Sequence, residues 1–131
     1  MRLSTLALAV LVALSLSGCA ATATRVRPAD ATDKIAGRYA INGSPTDVVI
    51  ITTIARGQYR IENPGFWMGV GLFDGKVYWG VFAYPSDTRH GSLAGVRGVQ
   101  RAELQPDGSF KVHGSFAPGA SEFDVVWTRT R

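Results

Sequence analysis

The chain has 131 residues, a mass of 14.0 kDa and a formal charge of +4, enough for one domain and too little for a two-domain dehydrogenase or a repeat array. Charged residues make up 18%, aromatics 10%, and there are 15 glycines, which excludes a disordered chain and fits a packed, turn-rich domain. The basic excess is spread along the chain, which argues against a dedicated nucleic-acid binder and is compatible with anionic lipid or polysaccharide nearby.

The first residues are not part of the predicted fold. Met1-Arg2 supplies a positive end, and Leu6 to Leu16 is an apolar run broken only by Ser15. The run is too short to span a bilayer and has the length of a signal-peptide core. It ends in Leu16-Ser17-Gly18-Cys19, which resembles the bacterial lipobox. That resemblance implies cleavage before Cys19 and a lipid anchor on its sulfur, with membrane attachment made stable by several acyl chains. Cys19 is the sole cysteine, so no internal disulfide is possible, and lipidation accounts for the single thiol of an exported chain. Ala20 follows Cys19, where Asp often marks inner-membrane retention in diderm lipoproteins. The implied location is the bacterial cell envelope, at the outer membrane facing the periplasm. The predicted parts are a signal peptide over 1–18, a lipid-anchored tether over 19–34, and a β-barrel-like domain over 35–131. The tether lacks apolar periodicity and is rich in Ala, Thr and Asp, as flexible spacers are.

From Ile35 onward, alternation and regularly spaced turn signals predict an all-β domain. Strands are expected at about 36–42, 46–55, 58–62, 66–73, 76–84, 95–105, 109–116 and 122–130. Turns fall at Asn42-Gly43, Arg56-Gly57, Asn63-Pro64-Gly65, Asp74-Gly75, Pro106-Asp107-Gly108 and Pro118-Gly119. Only Pro85 to Ala94 is a long connection. Short connections favour an antiparallel up-and-down meander of about eight strands. Pairing of Thr128–Arg131 with Gly37–Ile41 would close it into a small barrel and remove both edges.

Asp74-Gly75 as a two-residue hairpin sets Phe73 opposite Lys76 and brings Leu72, Val70, Met68 and Phe66 together with Val77, Trp79, Val81 and Ala83 on one apolar face. That face is the expected core, with Trp79 buried. The opposite face then carries Trp67, Tyr78, Phe82 and Tyr84 beside Gly69, Gly71 and Gly80, and is the candidate binding face. Aromatic rings laid over sheet glycines also cover exposed backbone, which explains them without a partner. The hairpin at Pro106-Asp107-Gly108 predicts Leu104–Phe110 and Ala102–Val112 inside and Glu103–Lys111 outside. In the last strand Phe123, Val125 and Trp127 point in.

Gly37-Arg-Tyr39, the stretch Trp67-Met-Gly-Val-Gly-Leu-Phe-Asp-Gly-Lys-Val-Tyr-Trp-Gly80 and Leu104-Gln-Pro-Asp-Gly-Ser-Phe110 together resemble small bacterial β-meander proteins of calycin type, lipocalin- or avidin-like. The resemblance implies a small barrel and carries over no ligand residues by position.

Chemistry-bearing residues are sparse. Pro85 to Ser92 holds Ser86, Asp87 and His90, but neighbours on one loop rarely reach the geometry of a catalytic triad. Asp87 and His90 supply two metal ligands where three or four must converge. No catalytic residue, metal site or cofactor is expected, and the chain is not expected to be an enzyme. Asp87, Arg89 and His90 are kept as a candidate binding loop at a barrel mouth. Two functions follow. The first is a membrane-anchored envelope lipoprotein with a non-catalytic structural or interaction role, docking its aromatic face on an envelope protein or glycan. The second is a calycin-like barrel that binds a small apolar ligand. An internal cavity is the feature that would reverse their order.

Overall fold

The computed structural model describes residues 34–117 and 121–131. The expected signal peptide over 1–18, Cys19, the expected tether as far as residue 33 and the expected Pro118-Gly119 turn lie outside the described residues. Eight strands form one closed antiparallel barrel in sequence order: β1 (Gly37–Ile41), β2 (Val48–Ala55), β3 (Gln58–Asn63), β4 (Trp67–Phe73), β5 (Val77–Ala83), β6 (Arg97–Leu104), β7 (Phe110–Ala117) and β8 (Glu122–Arg129). The up-and-down meander is therefore the fold. β8 closes on β1 through Tyr39–Arg129, Ala40–Thr128 and Ile41–Trp127, so no strand edge is left open. Among the described residues the one helical turn is a 3-10 segment at Gly91–Leu93, inside the long β5–β6 connection.

The strand directions give the barrel two unlike ends. One holds the β2–β3, β4–β5 and β6–β7 turns and both ends of the domain chain. It is plugged by the buried Ile35, whose carbonyl accepts from the Tyr39 hydroxyl at 2.8 Å. Arg129 locks the plug, donating to the carbonyls of Lys34 at 2.8 Å and Ala36 at 3.0 Å while lying 5.4 Å from the Tyr39 ring centroid. Above the plug, Val49, Ile51, Ile61, Phe110, Val112 and Trp127 form the packed core. Each such side chain contributes about 1.5–3 kcal/mol by leaving water. The opposite end carries the β1–β2, β3–β4, β5–β6 and β7–β8 connections and is the mouth.

The β6–β7 hairpin and β8 follow the expected registers. Ala102 pairs with Val112, Leu104 with Phe110 and Glu103 with Lys111. Trp127 is buried, with Phe123 and Val125 packed against the core.

The β4–β5 hairpin corrects the sequence reading in two ways. Its loop is Gly75-Lys76: the Asp74 amide donates to the Val77 carbonyl, and the Asp74 carboxylate accepts from the Lys76 and Val77 amides at 2.8 and 2.7 Å. Phe73 therefore faces Tyr78, and Leu72 faces Trp79. Gly75 takes the first loop position with φ of 103°, where a side chain would be strained. This two-residue slip leaves every residue on its own face, because side chains alternate with period two. The larger correction is which face is inside. Met68, Val70, Leu72, Trp79 and Val81 stand on the outer wall, and Trp79 is 58% exposed. Trp67, Phe73, Tyr78 and Phe82 point into the barrel. The reason is volume. Eight strands enclose little space, and the inward glycines on β4–β7 make room for rings from neighbouring strands. A Cβ at Gly98 would collide with the Phe82 ring, one at Gly80 with the Tyr78 ring, and one at Gly114 with the Phe123 ring. The rings do lie over sheet glycines, on the inside of the barrel.

Candidate functional site

The barrel mouth opens into a cavity of about 510 Å³. Its wall is built around Phe82, which β5 points inward over Gly98 of β6. Around the Phe82 ring stand Trp67 at 5.6 Å, Phe116 at 5.7 Å and Phe123 at 5.8 Å between centroids, the last two edge-on. Trp127 lies nearly parallel to Trp67, at 6.5 Å and 27°. Edge-on and offset contacts of this kind hold aromatic walls in fixed orientations.

The long β5–β6 connection forms part of the rim because it is fastened to the β3–β4 turn. The Thr88 hydroxyl donates to the Phe66 carbonyl at 2.7 Å, and the Arg89 amide donates to the Gly65 carbonyl at 2.8 Å. His90 then rests 4.8 Å from Phe66 and 6.5 Å from Tyr84. Arg89 and His90 both line the cavity. Asp87 is exposed and lies outside the lining.

The structure thus brings together five of the seven candidate residues, Trp67, Phe82, Tyr84, Arg89 and His90, around one space. Tyr78 lies below it, buried over Gly80. The candidate face is therefore a cavity lining and not an outer surface. Burial pushes the Tyr78 phenol far above the usual tyrosine range. Tyr84 is shifted the same way, first by burial and then by the Asp47 charge.

Four polar residues in the lining were not site candidates in the sequence reading: Thr46, Asp47, Asn63 and Gln100. Asn63, the last residue of β3, donates to the Asp47 carboxylate at 2.8 Å. Gln100 was findable from parity alone, since an inward Ala102 and Leu104 place Gly98 and Gln100 inward as well. Gln100 is 4% exposed, and its Nε2 has no hydrogen-bond partner. The same is true of the Trp127 indole Nε1 and the Tyr78 hydroxyl. Leaving such groups unpaired costs about 1–3 kcal/mol each.

Among the described residues, no group of three or more His, Cys, Asp or Glu is placed to hold a metal ion. His113, on the outer wall, bonds Asp124 through Nδ1 at 2.9 Å, at an exposed site outside the cavity lining.

The outer wall has a feature of its own. Met68, Val70, Leu72, Trp79, Val81 and Val99 are each 47–60% exposed. Register joins them across three strands, with Val70 beside Val81 and Val81 beside Val99. Arg60 and Arg97 border this sector, and Arg101 lies 5.2 Å from the Trp79 ring.

The eight-stranded closed antiparallel barrel is compatible with a calycin-like small barrel. No protein-family model, curated protein or solved structure matches the chain.

Proposed function

We propose that the protein is a non-catalytic binding module, anchored in the bacterial envelope by lipid on Cys19, that takes a small apolar molecule into its barrel mouth. The observation that carries the reading is the aromatic cavity of about 510 Å³, within the size range of small-molecule sites. Apolar walls with a few convergent polar groups are the usual composition of such sites. The chain enters the domain at the plugged end, opposite the mouth, so an anchor on that side leaves the mouth free for a ligand. The test uses N-phenyl-1-naphthylamine, a probe that fluoresces in apolar surroundings. Phe116→Glu places a charge in the cavity wall, and Leu72→Glu places one on the outer wall. The reading predicts saturable one-to-one binding that Phe116→Glu weakens at least tenfold and Leu72→Glu leaves intact; the reverse pattern refutes it. For the anchor, Cys19→Ser should release the protein from the membrane fraction, and a variant that still pellets with unchanged mass contradicts lipidation.

A second reading, an interaction role, is favoured by the outer sector. Contiguous exposed apolar surface marks a docking site, and its arginine border suits an anionic bilayer. The sector is one side of the barrel and not a belt, since β7 and β8 carry Lys111, His113, Glu122 and Asp124 outward. Fourteen residues lie between Cys19 and Lys34, a reach of at most about 50 Å, which lets an anchored domain lie down on this side.

A further inference from the structure

We infer that the ligand of the barrel mouth is an aromatic α-amino acid in its zwitterionic form, with its ring among the cavity aromatics, its ammonium facing the Asp47 carboxylate and its carboxylate facing the Arg89 guanidinium. This ligand class rests on the pocket reading above and adds a charged head to the apolar body.

Two opposite charges, Asp47 and Arg89, line the one cavity. They come from different connections: Asp47 directly precedes β2, and Arg89 lies between β5 and β6. The order of strands around the barrel sets these connections on either side of the β3–β4 turn. Both residues are fastened to that turn. The Asn63 side-chain amide donates to the Asp47 carboxylate at 2.8 Å. The Arg89 backbone amide donates to the Gly65 carbonyl at 2.8 Å, and its side chain runs so close that a Cβ on Gly65 would stand 2.9 Å from the Arg89 Nε. The turn itself is closed by the Phe66 amide on the Asn63 carbonyl at 2.9 Å. Asn63 and Gly65 are two residues apart, a span of at most about 7 Å, so the two charged side chains are held at neighbouring places on the rim.

They are not paired with each other. Among the described residues the ion pairs are Arg60–Glu62, Arg101–Glu103 and those of His113 with Glu122 and Asp124, and neither Asp47 nor Arg89 belongs to one. Both are open to a ligand, Arg89 being exposed and Asp47 half-buried. The Asp47 charge reaches the cavity wall: after burial, it is the second cause that pushes up the Tyr84 phenol. A ligand with one charge would meet one of these side chains and lie beside the like charge of the other. An ammonium and a carboxylate on one carbon meet both. At the rim this head keeps part of its hydration, so no charge is buried unpaired. Below the rim Trp67, Phe82, Phe116 and Phe123 receive a ring.

The experiment compares three ligands with one ring and one chain length, each measured by displacement of N-phenyl-1-naphthylamine at pH 7.5. Tryptophan carries both charges, tryptamine the ammonium alone and indole-3-propionate the carboxylate alone. Wild-type protein should bind tryptophan about threefold to fivefold more tightly than either analogue, the gain expected of one more solvated ion pair. Asp47→Asn, which keeps an acceptor for Asn63, should weaken tryptophan and tryptamine by about that factor and leave indole-3-propionate unharmed. Arg89→Gln should weaken tryptophan and indole-3-propionate and leave tryptamine unharmed. Both variants are first confirmed folded by circular dichroism. Tighter binding of either analogue than of tryptophan, or affinities that neither substitution changes, overturns the inference. So does a naphthylamine that binds saturably and is displaced by none of the three, and in each of these cases the pocket reading stands. A naphthylamine that does not bind removes the pocket reading and the inference with it.

Discussion

Replacing Trp79 and Trp127 by Ala, one at a time, measures which face of the barrel is inside. Trp79 is 58% exposed, so about two-fifths of its surface leaves water on folding. For a side chain of about 250 Å², that is about 100 Å², or roughly 2.5 kcal/mol at 25 cal/mol per Å². Alanine keeps part of this contact, and the unfolded chain already buries some of it, which leaves about 1 kcal/mol. Loss of the Arg101 contact at 5.2 Å adds about 0.5 kcal/mol. Trp127 is 1% exposed, packed between Phe110 and Trp67, and its truncation should cost about 3–5 kcal/mol. Urea unfolding followed by far-UV circular dichroism resolves the two. With an m value of about 1.5 kcal/mol per M, Trp79→Ala shifts the midpoint by about 1 M and Trp127→Ala by about 2–3 M. A Trp79→Ala loss equal to or larger than that of Trp127→Ala would refute the assignment of faces.

Gly98→Val should cost about 1–3 kcal/mol in the same assay, because its Cβ meets the Phe82 ring and the Ser115 carbonyl. Gly43→Ala, where a Cβ meets nothing, incurs only the strain of a φ of 73°. Asp74 is held below the usual carboxylate range by the Val77 and Lys76 amides, and Asp107 by the Ser109 hydroxyl and amide. Their stabilisation is full above the ordinary value of 3.8 and is lost as pH falls through the lowered folded-state values, so the stability gap between wild type and Asp74→Asn or Asp107→Asn should close in acid. Tyr78 is shifted the other way: its stabilisation is full below about pH 10 and declines as pH rises towards its folded-state value, so absorbance titration near 295 nm should show a late-ionising phenol whose contribution disappears in Tyr78→Phe. If the outer sector docks on lipid, the Cys19→Ser protein should float with vesicles rich in phosphatidylglycerol, and Leu72→Glu should abolish this.

Turn chemistry made the strands, the antiparallel order and the β1–β8 closure legible in the sequence. Asp107-Gly108 marked its own hairpin, and the expected pairing of Thr128–Arg131 with Gly37–Ile41 is the one that β8 and β1 make. The β4–β5 hairpin was misread because both of its faces are apolar. When one face carries Met68, Val70, Leu72, Trp79 and Val81 and the other Trp67, Phe73, Tyr78 and Phe82, alternation separates the faces without ranking them. The deciding factor is the barrel's enclosed volume, which depends on the inward positions of all eight strands at once. Gly69, Gly71, Gly80, Gly98 and Gly114 hold that information jointly. The loop residues Arg89 and His90 could be singled out by type, but the bonds of Thr88 and Arg89 to the carbonyls of Phe66 and Gly65 join segments more than twenty residues apart. Asp87 was singled out by the same reasoning and lies outside the lining.

The chain has three tryptophans, and the barrel places them at three sites: Trp67 in the cavity wall near the mouth, Trp127 deeper in the same cavity, and Trp79 on the outer wall. Their indole N–H signals in a ¹H–¹⁵N correlation spectrum, assigned by substitution, therefore report separately on inside and outside. Titration with N-phenyl-1-naphthylamine should move the Trp67 and Trp127 signals saturably and in parallel and leave Trp79 in place. A titration that moves Trp79 alone, or none of the three, contradicts a ligand site in the barrel mouth.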